Sequence, residues 1–121
     1  MITGILDEVV KQAKKSNEQA LLYWIYDGNE LLYIGIGGAS GTRKGWHRLR
    51  KHMIDSSQVS STRWSIMRDR MYRTNCTLKE FDEWWNTLTW KIEYGTPEYI
   101  LQYERDMIQK YKPRFNKIFN T

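Results

Sequence analysis

At about 100° per residue, Ile100, Met107, Ile108 and Tyr111 fall on one face of a helix, and Glu104 falls in the middle of that face. A carboxylate there is partly desolvated. Burying it is costly unless a cation, a hydrogen-bond donor or a metal compensates. A salt bridge to one of the nineteen basic residues is the structural solution, and a bound metal is the chemical one. Arg48 and His52 lie four residues apart, at the border of a second stripe formed by Trp46, Leu49 and Met53. Such a border is where side chains reach from a packed helix into a cleft. Arginine suits phosphate because its planar fork donates two parallel hydrogen bonds. The nearby Arg43, Lys44, Arg50 and Lys51 read as cations for a nucleic-acid backbone or, taken singly, as a solvated basic face.

The stretch that leads into the Arg48 segment, "LLYIGIGGASGTRKG" (31–45), admits two chemistries. One is nucleotide binding, in which glycines let the backbone approach a pyrophosphate. The other is phosphodiester cleavage, in which a tyrosine on a strand and an arginine on a helix converge on one phosphate. Gly35-Ile36-Gly37 begins like a dinucleotide fingerprint, but Ser40 stands where the third glycine belongs, and no Gly-Lys-Ser/Thr phosphate loop occurs. A dinucleotide site also needs a parallel βαβ unit, whereas the strand before these glycines belongs to a hairpin. The glycines are therefore expected to be a connection into a helix.

The elements that must hold these residues are legible from periodicity. Residues 5–15 place Ile5, Leu6, Val9, Val10 and Ala13 at helical spacing. Two β-rich runs, 19–27 and 30–36, flank Gly28-Asn29, a strong hairpin signal. A helix is expected from Thr42 to about Ile54, a polar loop over 56–61 and a basic helix over 62–73. Thr77 with Glu80 three residues later forms a capping box. A strand follows over 89–95. Pro97 suits the first turn of a last helix that runs to about Tyr111, before Pro113 forbids continuation. The expected architecture is a single α/β domain over 1–121, with a small central three-stranded, mainly antiparallel sheet flanked by helices. Trp64, Trp84, Trp85 and Trp90 read as core or dimer contacts.

Bulk properties agree with a folded domain and a polyanionic partner. The chain of 121 residues is 40% hydrophobic and 14% aromatic, with a net charge of +5 and a pI near 9.4. Cys76 is the lone cysteine, which excludes an internal disulfide and a Cys-based zinc cluster. The opening "MITGILDEVVKQAKKS" has early acids and no long apolar core, and no apolar run reaches membrane-spanning length. A cytoplasmic protein without membrane contact is expected.

Taken together, these residues resemble the GIY-YIG endonuclease family. Tyr33-Ile34-Gly35 is the second half of the motif, "HRLRKH" (47–52) looks like the arginine helix, and "ERDMIQKYKPRFN" (104–116) resembles the closing segment with its glutamate, Lys-Pro and asparagine. "LLY" (21–23) is the counterpart of the first half, because Tyr23 and Tyr33 reproduce the family's usual step. Strand geometry agrees: an odd-length turn centred on Gly28 pairs residues whose numbers sum to 56, so Tyr23 faces Tyr33. A two-residue Gly28-Asn29 turn would change that parity, which keeps Tyr26 as an alternative. The chain departs from the family in Ile36 after the motif, a longer glycine-rich connection, and an enlarged insert over 55–88.

What the resemblance implies is a divalent-metal-dependent hydrolysis of phosphodiester bonds in DNA, with RNA not excluded. Glu104 would bind Mg²⁺ or Mn²⁺, and Arg48 would neutralise developing charge. Tyr33 or Tyr23 would orient or deprotonate the water while the other held the phosphate. His52 would be a helper, and Asn116 would brace the site. The alternative is a nucleic-acid-binding module of the same fold that has lost cleavage. Sequence preference would come from 36–46, 55–88 or a second subunit, and double-strand cutting would call for a homo-oligomer.

Overall fold

A computed structural model describes residues 2–39, 43–53 and 60–117. The element order is β1 (Ile2–Gly4), α1 (Leu6–Lys14), β2 (Ala20–Asp27), β3 (Glu30–Gly37), α2 (Trp46–Arg50), α3 (Ser61–Thr74), α4 (Leu78–Trp85), β4 (Thr89–Gly95) and α5 (Pro97–Tyr111). The sheet has four strands in the order β1-β4-β2-β3, and every neighbouring pair is antiparallel. This corrects the three-strand expectation. Ile2–Gly4 adds a short edge strand on β4, and three residues are too few to show alternation in a sequence. The α/β class with flanking helices stands.

The sheet separates two cores. Leu21, Tyr23 and Ile25 of β2 point to one side, where they pack with Trp90 and Ile92 of β4 and with residues from α1 to α4. Ala20, Leu22 and Trp24 point to the other side, against Ile34, Ile100 and Ile108, so α5 covers that face. The insert contributes Ile66, Met67, Phe81 and Trp85 to the first core, and the Thr77–Glu80 capping box starts α4 as expected. Of the four tryptophans singled out, Trp85 and Trp90 are fully buried and Trp64 is half exposed. Of the helix expected over 42–54, Trp46–Arg50 is helical, and residues 42 and 54 lie outside the described ones.

The hairpin register answers the parity question. Its turn has two residues, with Asp27 opposite Glu30. A bulge between Ile25 and Tyr26 then takes up one extra residue, so the pairing beyond it is Ile25 with Tyr33 and Tyr23 with Gly35. The two irregularities cancel in parity but shift the register by two residues from the expected direct opposition. Tyr23 and Tyr33 still share a face, as diagonal neighbours, and Tyr26 packs in the opposite core.

Candidate functional site

Gly35 lies under both tyrosines. A Cβ added there would sit 2.4 Å from the Tyr23 hydroxyl and 2.7 Å from the Tyr33 ring. Only glycine lets the Tyr23 side chain cross β3 at this point. The rings then approach to a centroid distance of 6.2 Å. This is a packing reason for the third residue of Tyr33-Ile34-Gly35.

Tyr23 is fully buried and sits in a polar chain that runs into the insert. Its hydroxyl lies 2.9 Å from His52 Nε2, and His52 Nδ1 lies 2.6 Å from Ser60 Oγ. Ser60 caps α3 by accepting from the Arg63 N–H at 3.0 Å. The His52 backbone carbonyl accepts from Trp85 Nε1 at 2.9 Å. His52 itself is fully buried, with Trp90 beside its ring at 5.4 Å. Burial, then the charges of Arg48 and Arg63, push its pKa down to about 3. Burial and the neighbouring Tyr33 push the Tyr23 phenol far above its ordinary value, and Arg48, by charge and hydrogen bonding, opposes this without reversing it. At neutral pH both groups are uncharged.

The glycine-rich connection brings the Arg48 helix down onto the sheet. A Cβ on Gly37 would strike the Gly45 carbonyl at 2.6 Å and Arg48 Cβ at 2.9 Å, so any larger residue would lift α2 off the end of β3. Gln19 holds the loop, donating to the Arg43 carbonyl at 2.6 Å and the Gly38 carbonyl at 3.3 Å. The resulting groove, about 350 Å³, is lined by Ile36, Gly37–Ala39, Arg43, Lys44, His47, Arg48 and Lys51. Among the described residues no acidic side chain lines it. Arg50 is the exception among the expected cations: it lines a separate groove with Lys14 and Met53.

Glu104 projects from α5 into a cleft of about 390 Å³ shared with Tyr33, Phe115, Asn116, Lys117 and three hydroxyl residues of α3, Ser61, Thr62 and Ser65. Its carboxylate is partly buried, and desolvation raises its pKa above the ordinary value. None of the ion pairs among the described residues involves it. Asn116 borders the same cleft and clamps β3. Its Oδ1 accepts from the Ile34 N–H at 2.9 Å and its Nδ2 donates to the Ile34 carbonyl at 2.8 Å. The Phe115 N–H adds a bond to the Leu32 carbonyl at 2.9 Å. The closing segment thus takes the place of a further strand.

Among the described residues no group of three or more His, Cys, Asp and Glu side chains converges as a metal cage. A carboxylate that makes no ion pair among the described residues and faces an open cleft suits Mg²⁺, which keeps waters and takes substrate phosphate oxygens as ligands.

The expected site residues Tyr23, Tyr33, Arg48, His52 and Glu104 come from four different segments of the chain. Tyr23 feels the charges of Tyr33, Arg48 and Glu104 and touches His52. Sequence reading missed Ser60, Arg63 and Gln19. Ser60 had one visible signal, a serine directly before a helical run. Arg63 reads as part of a basic face, yet it is buried, pairs with Asp82 and lies near the rings of Phe81 and Trp85. Comparison with protein families, curated proteins and solved structures finds no match to this chain.

Proposed function

We propose that this chain is a divalent-metal-dependent endonuclease that hydrolyses phosphodiester bonds in DNA, in the manner of the GIY-YIG enzymes its motifs resemble. One observation carries the reading: Tyr23, which hydrogen-bonds to His52, lies within electrostatic reach of Tyr33, Arg48 and Glu104, while Tyr33 and Glu104 share one cleft and Arg48 lines a groove with Arg43, Lys44, His47 and Lys51.

Each side chain then has a task. The basic groove of Arg43, Lys44, His47 and Lys51 takes the DNA backbone, because closely spaced cations replace the counterions of phosphate. Arg48 donates from the border of that groove to the phosphoryl oxygens where negative charge develops. Tyr33, on the cleft wall beside Glu104, orients the attacking water. Tyr23 is a hydrogen-bonding group in this scheme, since a phenol whose pKa is raised by burial is a poor base at neutral pH. His52 stays neutral and fixes Tyr23. Glu104 would hold Mg²⁺ or Mn²⁺, and when bound there the ion supplies Lewis-acid polarisation of the scissile phosphate and of the leaving oxygen. Asn116 keeps β3, and with it Tyr33, in place.

The test is cleavage of supercoiled plasmid in Mg²⁺ or Mn²⁺ by wild type, Glu104→Ala and Arg48→Ala across a salt series. Nicked or linear product from wild type, with both variants folded and at least about a hundredfold slower, is the expected result. Salt-sensitive binding without cutting under either metal would replace the enzyme with a binding module. Neither binding nor cutting would remove nucleic acid from the account.

A further inference from the structure

Ser60 belongs to the insert and to none of the motifs, yet its oxygen lies 2.6 Å from His52 Nδ1. We propose that Ser60 is a positioning residue: it holds His52 in the Nδ1–H tautomer, so that the bare Nε2 accepts the Tyr23 proton in a hydrogen bond and fixes the direction of the phenol oxygen. This rests on the nuclease reading for its consequence and on hydrogen-bond accounting for its geometry.

Arg48 can only donate, and its charge opposes the rise in the Tyr23 pKa. Tyr23 is fully buried, and the hydrogen bond its hydroxyl makes among the described residues is to His52 Nε2. If Nε2 carried the ring proton, it would donate to the phenol oxygen, and the phenol proton would be left without an acceptor in a buried site. That arrangement is costly. With Nε2 bare, the proton on Nδ1 goes to Ser60 Oγ, whose two lone pairs then accept from His52 and from the Arg63 N–H. The hydroxyl proton left over is then that of Ser60, which keeps some exposure, 6%, where Tyr23 has none.

Around His52, β2 presents Tyr23, β4 presents Trp90, the ring's own segment presents Arg48, α3 presents Ser60 and the Arg63 cation, and α4 presents Trp85. Two nearby cations and full burial disfavour imidazolium. The link to Tyr23 is thus a neutral hydrogen bond, and its role is orientation. The insert accordingly forms the back wall of the site and fixes His52 at both its ring and its carbonyl.

Ser60 also caps α3, so an alanine would confound two roles. Glycine is a tolerable cap without a hydroxyl, and threonine keeps the hydroxyl. The experiment compares wild type, Ser60→Gly and Ser60→Thr by nitrogen NMR of the His52 ring and by kcat and KM for plasmid cleavage. Wild type and Ser60→Thr are expected to show a protonated Nδ1 and a bare Nε2. Ser60→Gly is expected to show mixed tautomers and a kcat about ten- to a hundredfold lower, with KM unchanged. A protonated Nε2 in wild type, or a Ser60→Gly protein with unaltered tautomer and kcat, would overturn the proposal. If no variant cuts DNA but the tautomer still depends on Ser60, the hold on His52 stands and the nuclease reading falls.

Discussion

Tyr23 and Tyr33 project from the same face of one hairpin, yet their surroundings are opposite. Tyr23 is sealed among His52, Trp90 and Tyr33, with its hydroxyl bonded and its charge suppressed. Tyr33 is half-buried and lines an open cleft with a carboxylate that makes no ion pair among the described residues. The hydroxyl on one side of the site is satisfied by the protein, while the carboxylate on the other opens onto the cleft. The difference follows from topology. β2 is an inner strand between β4 and β3, whereas β3 is an edge strand. A polar group on the inner strand must be satisfied internally, while a group at the edge can keep contact with solvent and ligand.

If that division is real, substitutions on the two sides fail in different ways. The largest effect is expected at Glu104. Glu104→Gln should cut cleavage by about a thousandfold or more, in line with several kcal/mol of charge stabilisation. It should leave the fold intact and raise stability at neutral pH. The carboxyl has a folded pKa above its ordinary 4.5, so the ionised form is the one that folding disfavours. The gain should therefore fade as pH falls through that range. Thermal melts of both proteins against pH check this, and a loss of stability at neutral pH would erase the contrast.

The sealed side should answer in stability. Tyr23→Phe leaves His52 Nε2 without its donor and is expected to cost about 1–3 kcal/mol in denaturant melts. His52 adds a pH signature. Its folded pKa, about 3, lies below the ordinary 6.5. Between those values the unfolded chain holds a proton that the folded chain refuses. Stability should thus be lost as pH falls through this window, by up to about 1.4 kcal/mol per unit. His52→Gln should flatten that slope, and an unchanged slope would show that the ring is not sealed.

The smallest expected effect lies on the groove. Arg43→Ala and Lys44→Ala should each lower the salt dependence of DNA binding by about one unit of log–log slope. Arg50→Ala, which faces α1, should change it less. Equal effects at all three would mean that the DNA path crosses both grooves.

Much of this layout is readable in the sequence where the signal is local. The hairpin, the α4 capping box, the span of α5 and the half-burial of Glu104 all follow from turn residues and periodicity. The hairpin register does not, because a two-residue turn and a bulge offset one another, and nothing in "NELLYIG" marks Leu32 as the extra residue. Nor does Arg63 betray its interior position, since its partners Asp82, Phe81 and Trp85 come from another helix. The polar chain from Tyr23 to Ser60 is likewise a product of tertiary packing, and helical spacing of Arg48 and His52 shows only one of its ends.

The Asn116 clamp has a consequence for how the molecule is made. A bare strand edge is a template for another chain, and here it is masked by an amide 82 residues downstream of the backbone it grips. A polypeptide emerging from the ribosome therefore carries β3 with its outer edge unprotected while that length is synthesised. Contacts so distant in sequence close slowly. The same closing segment that lines the cleft thus covers this edge only once the chain is nearly complete.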